Sequence, residues 1–94
     1  MLAKVEIYTK DWCNYCVRAK RLLTESGAEI VEYPVDMGGD KKSEMIQRAG
    51  GRTTVPQIFI DGKHVGGCDD LFDLKSSGKL ADLLTAPRQT SGQA

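Results

Sequence analysis

The hydrophobic period changes at Cys13, and that change constrains the fold more than any other feature. Before it, Val5-Glu6-Ile7-Tyr8 alternates apolar and polar residues, the pattern of a strand. After it, Cys16, Ala19 and Leu23 recur on one helical face with Leu22 beside them, and Arg18, Lys20 and Arg21 supply the polar side. Lys10-Asp11-Trp12 is the short break between the two patterns, and Gly27 is a stop signal for the helix. Glu29 to Val35, with Ile30, Glu32 and Val35 alternating and Pro34 near the end, reads as a second strand. Two strands joined by a helix in this way run parallel.

The remainder adds a hairpin. Met37-Gly38-Gly39-Asp40 reads as a loop, and Lys42 to Ala49 places Met45, Ile46 and Ala49 at helical spacing before Gly50-Gly51. Gln57-Ile58-Phe59-Ile60 is a strand, Asp61-Gly62 a turn, and His64-Val65 the returning strand. Asp69-Asp70 open a helix carrying Leu71, Phe72, Leu74, Leu80, Leu83 and Leu84, which Ser77-Gly78 splits in two. The order of elements predicts an α/β fold: a four-stranded mixed sheet flanked by helices on both faces. With 94 residues there is room for one domain, 1–85. The tail 86–94, rich in Gln, Thr, Ser and Gly, is expected to be disordered.

Charge and hydropathy exclude several functions. Lys and Arg total 13, as do Asp and Glu, so there is no basic footprint for nucleic acid. No apolar run approaches the length of a membrane span. Met1-Leu2-Ala3-Lys4-Val5 leads directly into strand-like sequence without the apolar segment of a signal peptide. The expected address is the cytoplasm, where disulfides are usually transient and catalytic.

That expectation gives Cys13-Asn14-Tyr15-Cys16 its meaning. Residues three apart on a helix face the same way, so the two sulfurs come within disulfide range. Cys13 falls at the helix N-terminus, where unpaired N–H groups and the helix dipole favour a thiolate over that of a free cysteine, and Lys10 adds a cation nearby. Cys16 lies a turn deeper on the core-facing stripe. Cys13 is therefore the candidate nucleophile and Cys16 the candidate resolving thiol. A structural zinc site would need four ligands, and only Cys68 and His64 remain to join the pair, so no metal is expected.

Three segments in this order resemble the glutaredoxins of the thioredoxin-fold superfamily, and most of all the short bacterial dithiol class. They are Val5-Glu6-Ile7-Tyr8-Thr9-Lys10 with the motif Cys13-Asn14-Tyr15-Cys16, Arg52-Thr53-Thr54-Val55-Pro56-Gln57-Ile58-Phe59-Ile60, and Gly66-Gly67-Cys68-Asp69-Asp70-Leu71. The resemblance covers Val5 to Leu84. It implies a thioredoxin-like fold and an enzyme that uses glutathione to reduce protein disulfides and glutathione mixed disulfides. The implied partners are glutathione, protein clients such as ribonucleotide reductase, and glutathione reductase acting indirectly through glutathione. A monomer is expected. One position departs from the family pattern: Asn14 stands where the dithiol motif usually has Pro. Asn restores a backbone N–H at the first helical turn. Family members that bind [2Fe–2S] usually lack that Pro, so the alternative is a dimer sharing a cluster through Cys13 and bound glutathione.

The resemblance also implies a glutathione site. Thr54-Val55-Pro56 corresponds to the family's cis-Pro loop, in which Val55 pairs with the cysteinyl part of the ligand. The glycyl carboxylate would meet Lys10, with Arg52 or Gln57 as further candidates. Gly67 permits close backbone approach, and the helix opening at Cys68-Asp69 suits the γ-glutamyl carboxylate. Asp69 or Asp70 would pair the γ-glutamyl ammonium, and Tyr15 would flank the sulfur. Cys68 reads as small core filler ahead of a secondary thiol, His64 as a surface hairpin residue, and Trp12 as a shield for the nucleophile or a contact for clients.

Overall fold

The computed structural model describes residues 3–85; the tail expected to be disordered lies outside them. The elements in chain order are β1 (Val5–Thr9), α1 (Asn14–Glu25), β2 (Ile30–Pro34), α2 (Gly39–Arg48), β3 (Gln57–Ile60), β4 (Lys63–Gly66), α3 (Cys68–Ser76) and α4 (Lys79–Thr85). They form one sheet in the order β2-β1-β3-β4. β1 and β2 are parallel, with Val5 opposite Ile30 and Tyr8 opposite Tyr33. β3 runs antiparallel to β1, with Ile7 opposite Ile58, and β4 runs antiparallel to β3.

Local chemistry sets the joints. Asp61 and Gly62 have φ of 50° and 82°. Two consecutive residues at positive φ make a type I′ turn, whose twist matches that of the strands it connects. α1 ends at Ser26, and Gly27 at φ 85° lets the Ala28 N–H return to the Leu23 carbonyl at 3.0 Å. Two starts differ from the sequence expectation. α2 begins at Gly39 rather than near Lys42, with Asp40 in its first turn, where a negative charge meets the positive end of the helix. α3 begins at Cys68 with Gly67 as its N-cap, ahead of Asp69. A glycine, Gly38 before α2 and Gly67 before α3, caps each helix at its mouth.

The sheet has two unlike faces. On one, α1, α3 and α4 cover an apolar core that includes Val5, Ile7, Leu23, Ile58, Leu71 and Leu80. On the other, α2 packs Met45 and Ala49 against Tyr8, Val35 and Phe59. Every residue of β1 is buried, so the polar half of its alternation is interior too. Glu6, 8% exposed, receives Arg48 Nη2 at 3.0 Å and Nη1 at 3.3 Å, and the Tyr33 hydroxyl at 3.0 Å. Arg48 Nη1 also donates to the Tyr8 hydroxyl at 2.8 Å, and that hydroxyl donates to Glu44. A buried carboxylate survives because its oxygens are paired.

Candidate active site

β1 ends at Thr9, and the chain crosses to α1 through Lys10-Asp11-Trp12-Cys13. The Asp11 N–H donates to Asp36 Oδ2 at 2.7 Å, which ties this crossing to the loop after β2. Trp12 has φ 58°, a region rarely used by large side chains, and its side chain is fully exposed. An indole standing wholly in solvent covers nothing, so Trp12 does not shield Cys13.

Cys13 is the N-cap of α1, in extended conformation at φ −110° and ψ 105°. Its sulfur accepts the Cys16 N–H at 3.2 Å. A helix N-terminal N–H stabilises negative charge on the atom it meets. Cys13 is partly exposed and Cys16 is 2% exposed. Burial, with the neighbouring Cys13 sulfur second, pushes the Cys16 thiol up to about 12; a backbone hydrogen bond from Lys10 works against this. The pair thus consists of one accessible sulfur at a helix mouth and one buried thiol held protonated beneath it.

Next to this mouth lies a cleft of about 310 Å³. Tyr15 lines it from α1, Arg52 and Thr54-Val55-Pro56 from the loop before β3, and Gly67-Cys68-Asp69-Asp70 from the start of α3. The Val55–Pro56 peptide is cis. Of the residues the sequence nominates for ligand binding, Lys10 and Gln57 are absent from the cleft wall; Lys10 is exposed on the crossing between β1 and α1. Cys68 is 6% exposed and belongs to the apolar core while also reaching the cleft, and burial pushes its thiol up.

The structure separates the two aspartates. Asp70 Oδ2 accepts the Gly67 N–H at 2.9 Å and pairs with Arg52 Nη1 at 3.4 Å. The Gly67 N–H, then burial working against it, then Arg52 set its carboxyl, which lies below the usual range. Asp70 is therefore a capping carboxylate at the third helical position. Asp69 is exposed at the cleft with no ion pair to a described residue. Gly66, at φ 118°, has no room for a side chain: a Cβ would lie 2.3 Å from Asp70 Oδ2. Gln57, a candidate for the ligand carboxylate, is wholly buried and bonded to Thr54 and His64, so it is not free to meet one.

The glutaredoxin family model matches residues 5–65. The chain belongs to the glutaredoxin family. It is 57% identical over 83 residues to Glutaredoxin 3 of Escherichia coli K12, spanning 88% of this chain and 99% of that one. The solution structure of a glutaredoxin from Brucella melitensis superposes with a TM-score of 0.76 at 49% identity, covering 88% of this chain and 89% of the other. The crystal structure of a buckwheat glutaredoxin–glutathione complex superposes with a TM-score of 0.78 at 35% identity, covering 88% and 77%. This glutaredoxin is a glutathione-dependent thiol–disulfide oxidoreductase with the thioredoxin-like α/β fold expected of it. Among the described residues no helix is long and apolar enough to cross a membrane.

Two contributors to the site had only weak signals in the sequence. Asp70 is announced by a glycine N-cap followed three residues on by a carboxylate, a known capping pattern. The His64–Gln57–Thr54 connection has no local signal, because its partners sit on two strands and a loop.

Proposed function

We propose that Cys13 is the nucleophile and Cys16 the resolving thiol, and that the cleft beside them binds glutathione. The observation that carries this reading is the pairing of a partly exposed Cys13 sulfur, fed by a helix N–H, with a buried Cys16 thiol one turn below. On a glutathione mixed disulfide, the Cys13 thiolate attacks the glutathione sulfur. A Cys13–glutathione disulfide forms, and the client thiolate leaves and takes up a proton. The thiolate of a second glutathione then attacks the glutathione sulfur of that intermediate, freeing Cys13 and releasing glutathione disulfide.

A protein disulfide needs Cys16. Once Cys13 is bonded to a client sulfur, its contribution to holding the Cys16 proton is gone, and only burial continues to raise that thiol. Cys16 can then lose its proton and attack the Cys13 sulfur. The client leaves with both thiols reduced and Cys13–Cys16 remains as a disulfide, which two glutathiones reduce.

In the cleft, Val55 offers main-chain pairing, the mouth of α3 offers N–H groups to a carboxylate, and Asp69 offers an uncommitted anion to an ammonium. Tyr15 flanks the sulfur. Arg52 adds positive charge, although Asp70 already shares it. Lys10 contributes charge from outside the wall. The glutathione in the buckwheat complex supports a ligand of this class. Clients are glutathionylated or disulfide-bonded proteins, ribonucleotide reductase among them, docking over Trp12. The setting is the cytoplasm, with glutathione reductase renewing the glutathione.

The deciding experiment is turnover of a small glutathione mixed disulfide coupled to glutathione reductase and NADPH. Wild type and Cys16→Ser should both be active, and Cys13→Ser inactive. Activity in Cys13→Ser overturns the assignment.

Asn14, the first residue of α1, favours a second reading: a dimer sharing a [2Fe–2S] cluster. Such clusters are held by four thiolates. Among the described residues no group of three or more metal-ligating side chains exists, so each chain would offer Cys13 and glutathione would supply the rest. Anaerobic reconstitution with glutathione should then give visible absorption and a dimeric mass. A colourless monomer rejects it.

A further inference from the structure

His64 lies on β4, outside the cleft wall, yet it is connected to that wall by a chain of hydrogen bonds with a fixed direction. The chain can be read from its far end. The Thr54 carbonyl is an acceptor only, so the Gln57 group 3.1 Å from it must be the NH2, which also donates to Thr54 Oγ1 at 3.3 Å. That orientation turns Gln57 Oε1 toward His64, whose Nε2 stands 2.7 Å away. An amide oxygen accepts only, so His64 Nε2 must carry a hydrogen. The imidazole is held in place by stacking on Phe59, with ring centroids 5.0 Å apart and planes 28° apart. Burial first, and Arg52 second, favour its neutral form. A neutral ring has one N–H, and here it is committed to Gln57.

Gln57 is the vulnerable link. It is wholly buried, so its oxygen has no access to bulk water if His64 stops donating. Its amide holds two oxygens of Thr54, the residue preceding Val55 and Pro56 on the cleft wall. Because Thr54 Oγ1 accepts from Gln57, its own hydroxyl hydrogen remains available to a ligand.

We infer that His64 is a positioning residue for the glutathione cleft: by donating to buried Gln57 it fixes the amide that holds Thr54, and with it the Thr54–Pro56 edge of the site. This rests on the proposed glutathione reading of the cleft. It concerns ligand affinity rather than the reactivity of Cys13, which His64 does not touch.

The test uses His64→Phe, which keeps an aromatic ring over Phe59 but has no donor, and His64→Gln, whose amide nitrogen is as many bonds from Cα as Nε2. Position 64 is exposed, so both variants should fold. In the coupled mixed-disulfide assay, His64→Phe should raise the KM for the glutathionylated substrate about three- to tenfold, the worth of one hydrogen bond, with kcat near wild type. His64→Gln should restore most of that loss. In wild type, the nitrogen-15 shifts of the neutral imidazole should show the hydrogen on Nε2. An unchanged KM in His64→Phe, an equal rise in both variants, or a ring carrying its hydrogen on Nδ1 overturns the inference. Backbone amide shifts of wild type on adding glutathione separate this from failure of the cleft itself. Shifts at Thr54, Val55 and Asp69 uphold the cleft, so an unmoved KM then removes only the role of His64. Their absence removes both.

Discussion

The two faces of the sheet are built from alternate residues of the same strand by different means. Val5 and Ile7 face α1, α3 and α4 in an apolar core. Glu6 and Tyr8 face α2, where Arg48 bonds both and rests 4.1 Å from the Phe59 ring centre. The first face is held by shape and area. The second is held by directed bonds whose members each depend on the others. Non-directional packing tolerates small shifts, whereas a bonded network is either satisfied or costly. The reactive cysteines are mounted on the first face, through α1. The loop that forms the cleft edge begins where the second face ends, just beyond Arg48.

The contrast can be tested by substitution. Leu23→Ala, at a fully buried position under α1, should cost about 3–4 kcal/mol in chemical denaturation through lost burial and the cavity left behind. A cost below about 1 kcal/mol would show that the first face repacks freely. Arg48→Met should cost about 2–3 kcal/mol, because Glu6 keeps its burial and loses its main partner. Adding Glu6→Leu to it should recover much of the loss, as a replaced pair often does. A double variant as unstable as the single would contradict this account of the second face.

Acid should then distinguish the faces. The Arg48 bond, with burial opposing it, holds the Glu6 carboxyl below its ordinary value of 4.5. A carboxylate depressed in the folded state stabilises it above the unfolded value, and that contribution is lost as pH falls through the folded one. Wild type should therefore lose stability as pH drops below 4.5, and the Glu6→Leu/Arg48→Met pair should lose less. Parallel curves would remove Glu6 from the explanation. Finally, Lys41→Ala breaks a half-exposed pair with Glu44 at the rim of the second face and removes a cation 4.1 Å from the Tyr33 ring centre, and should change stability by about 1 kcal/mol or less.

Where the sequence was legible, the interaction was local. The strand-to-helix change at Cys13, the Asp61-Gly62 turn and the split at Ser77-Gly78 are each decided within a few residues, and each lies where the pattern put it. The Thr-Val-Pro and Gly-Gly-Cys-Asp segments come together at one cleft through the family resemblance, since neither alone specifies its neighbour. The partners of Glu6 were not legible. Arg48 and Tyr33 reach it only because the sheet order places β2 beside β1 and α2 across that face. The same holds for Gln57, whose polarity suggested a ligand contact and whose burial makes it an internal brace.

The chain has a single tryptophan, and it is fully exposed next to Cys13. An indole already surrounded by water barely changes its emission when the core melts, so Trp12 fluorescence is nearly silent to unfolding. It is instead sensitive to whatever approaches the neighbouring sulfur, whether a docking client or a newly formed disulfide. In this protein the built-in optical probe reads out the redox centre, and folding has to be followed by circular dichroism or by its buried tyrosine.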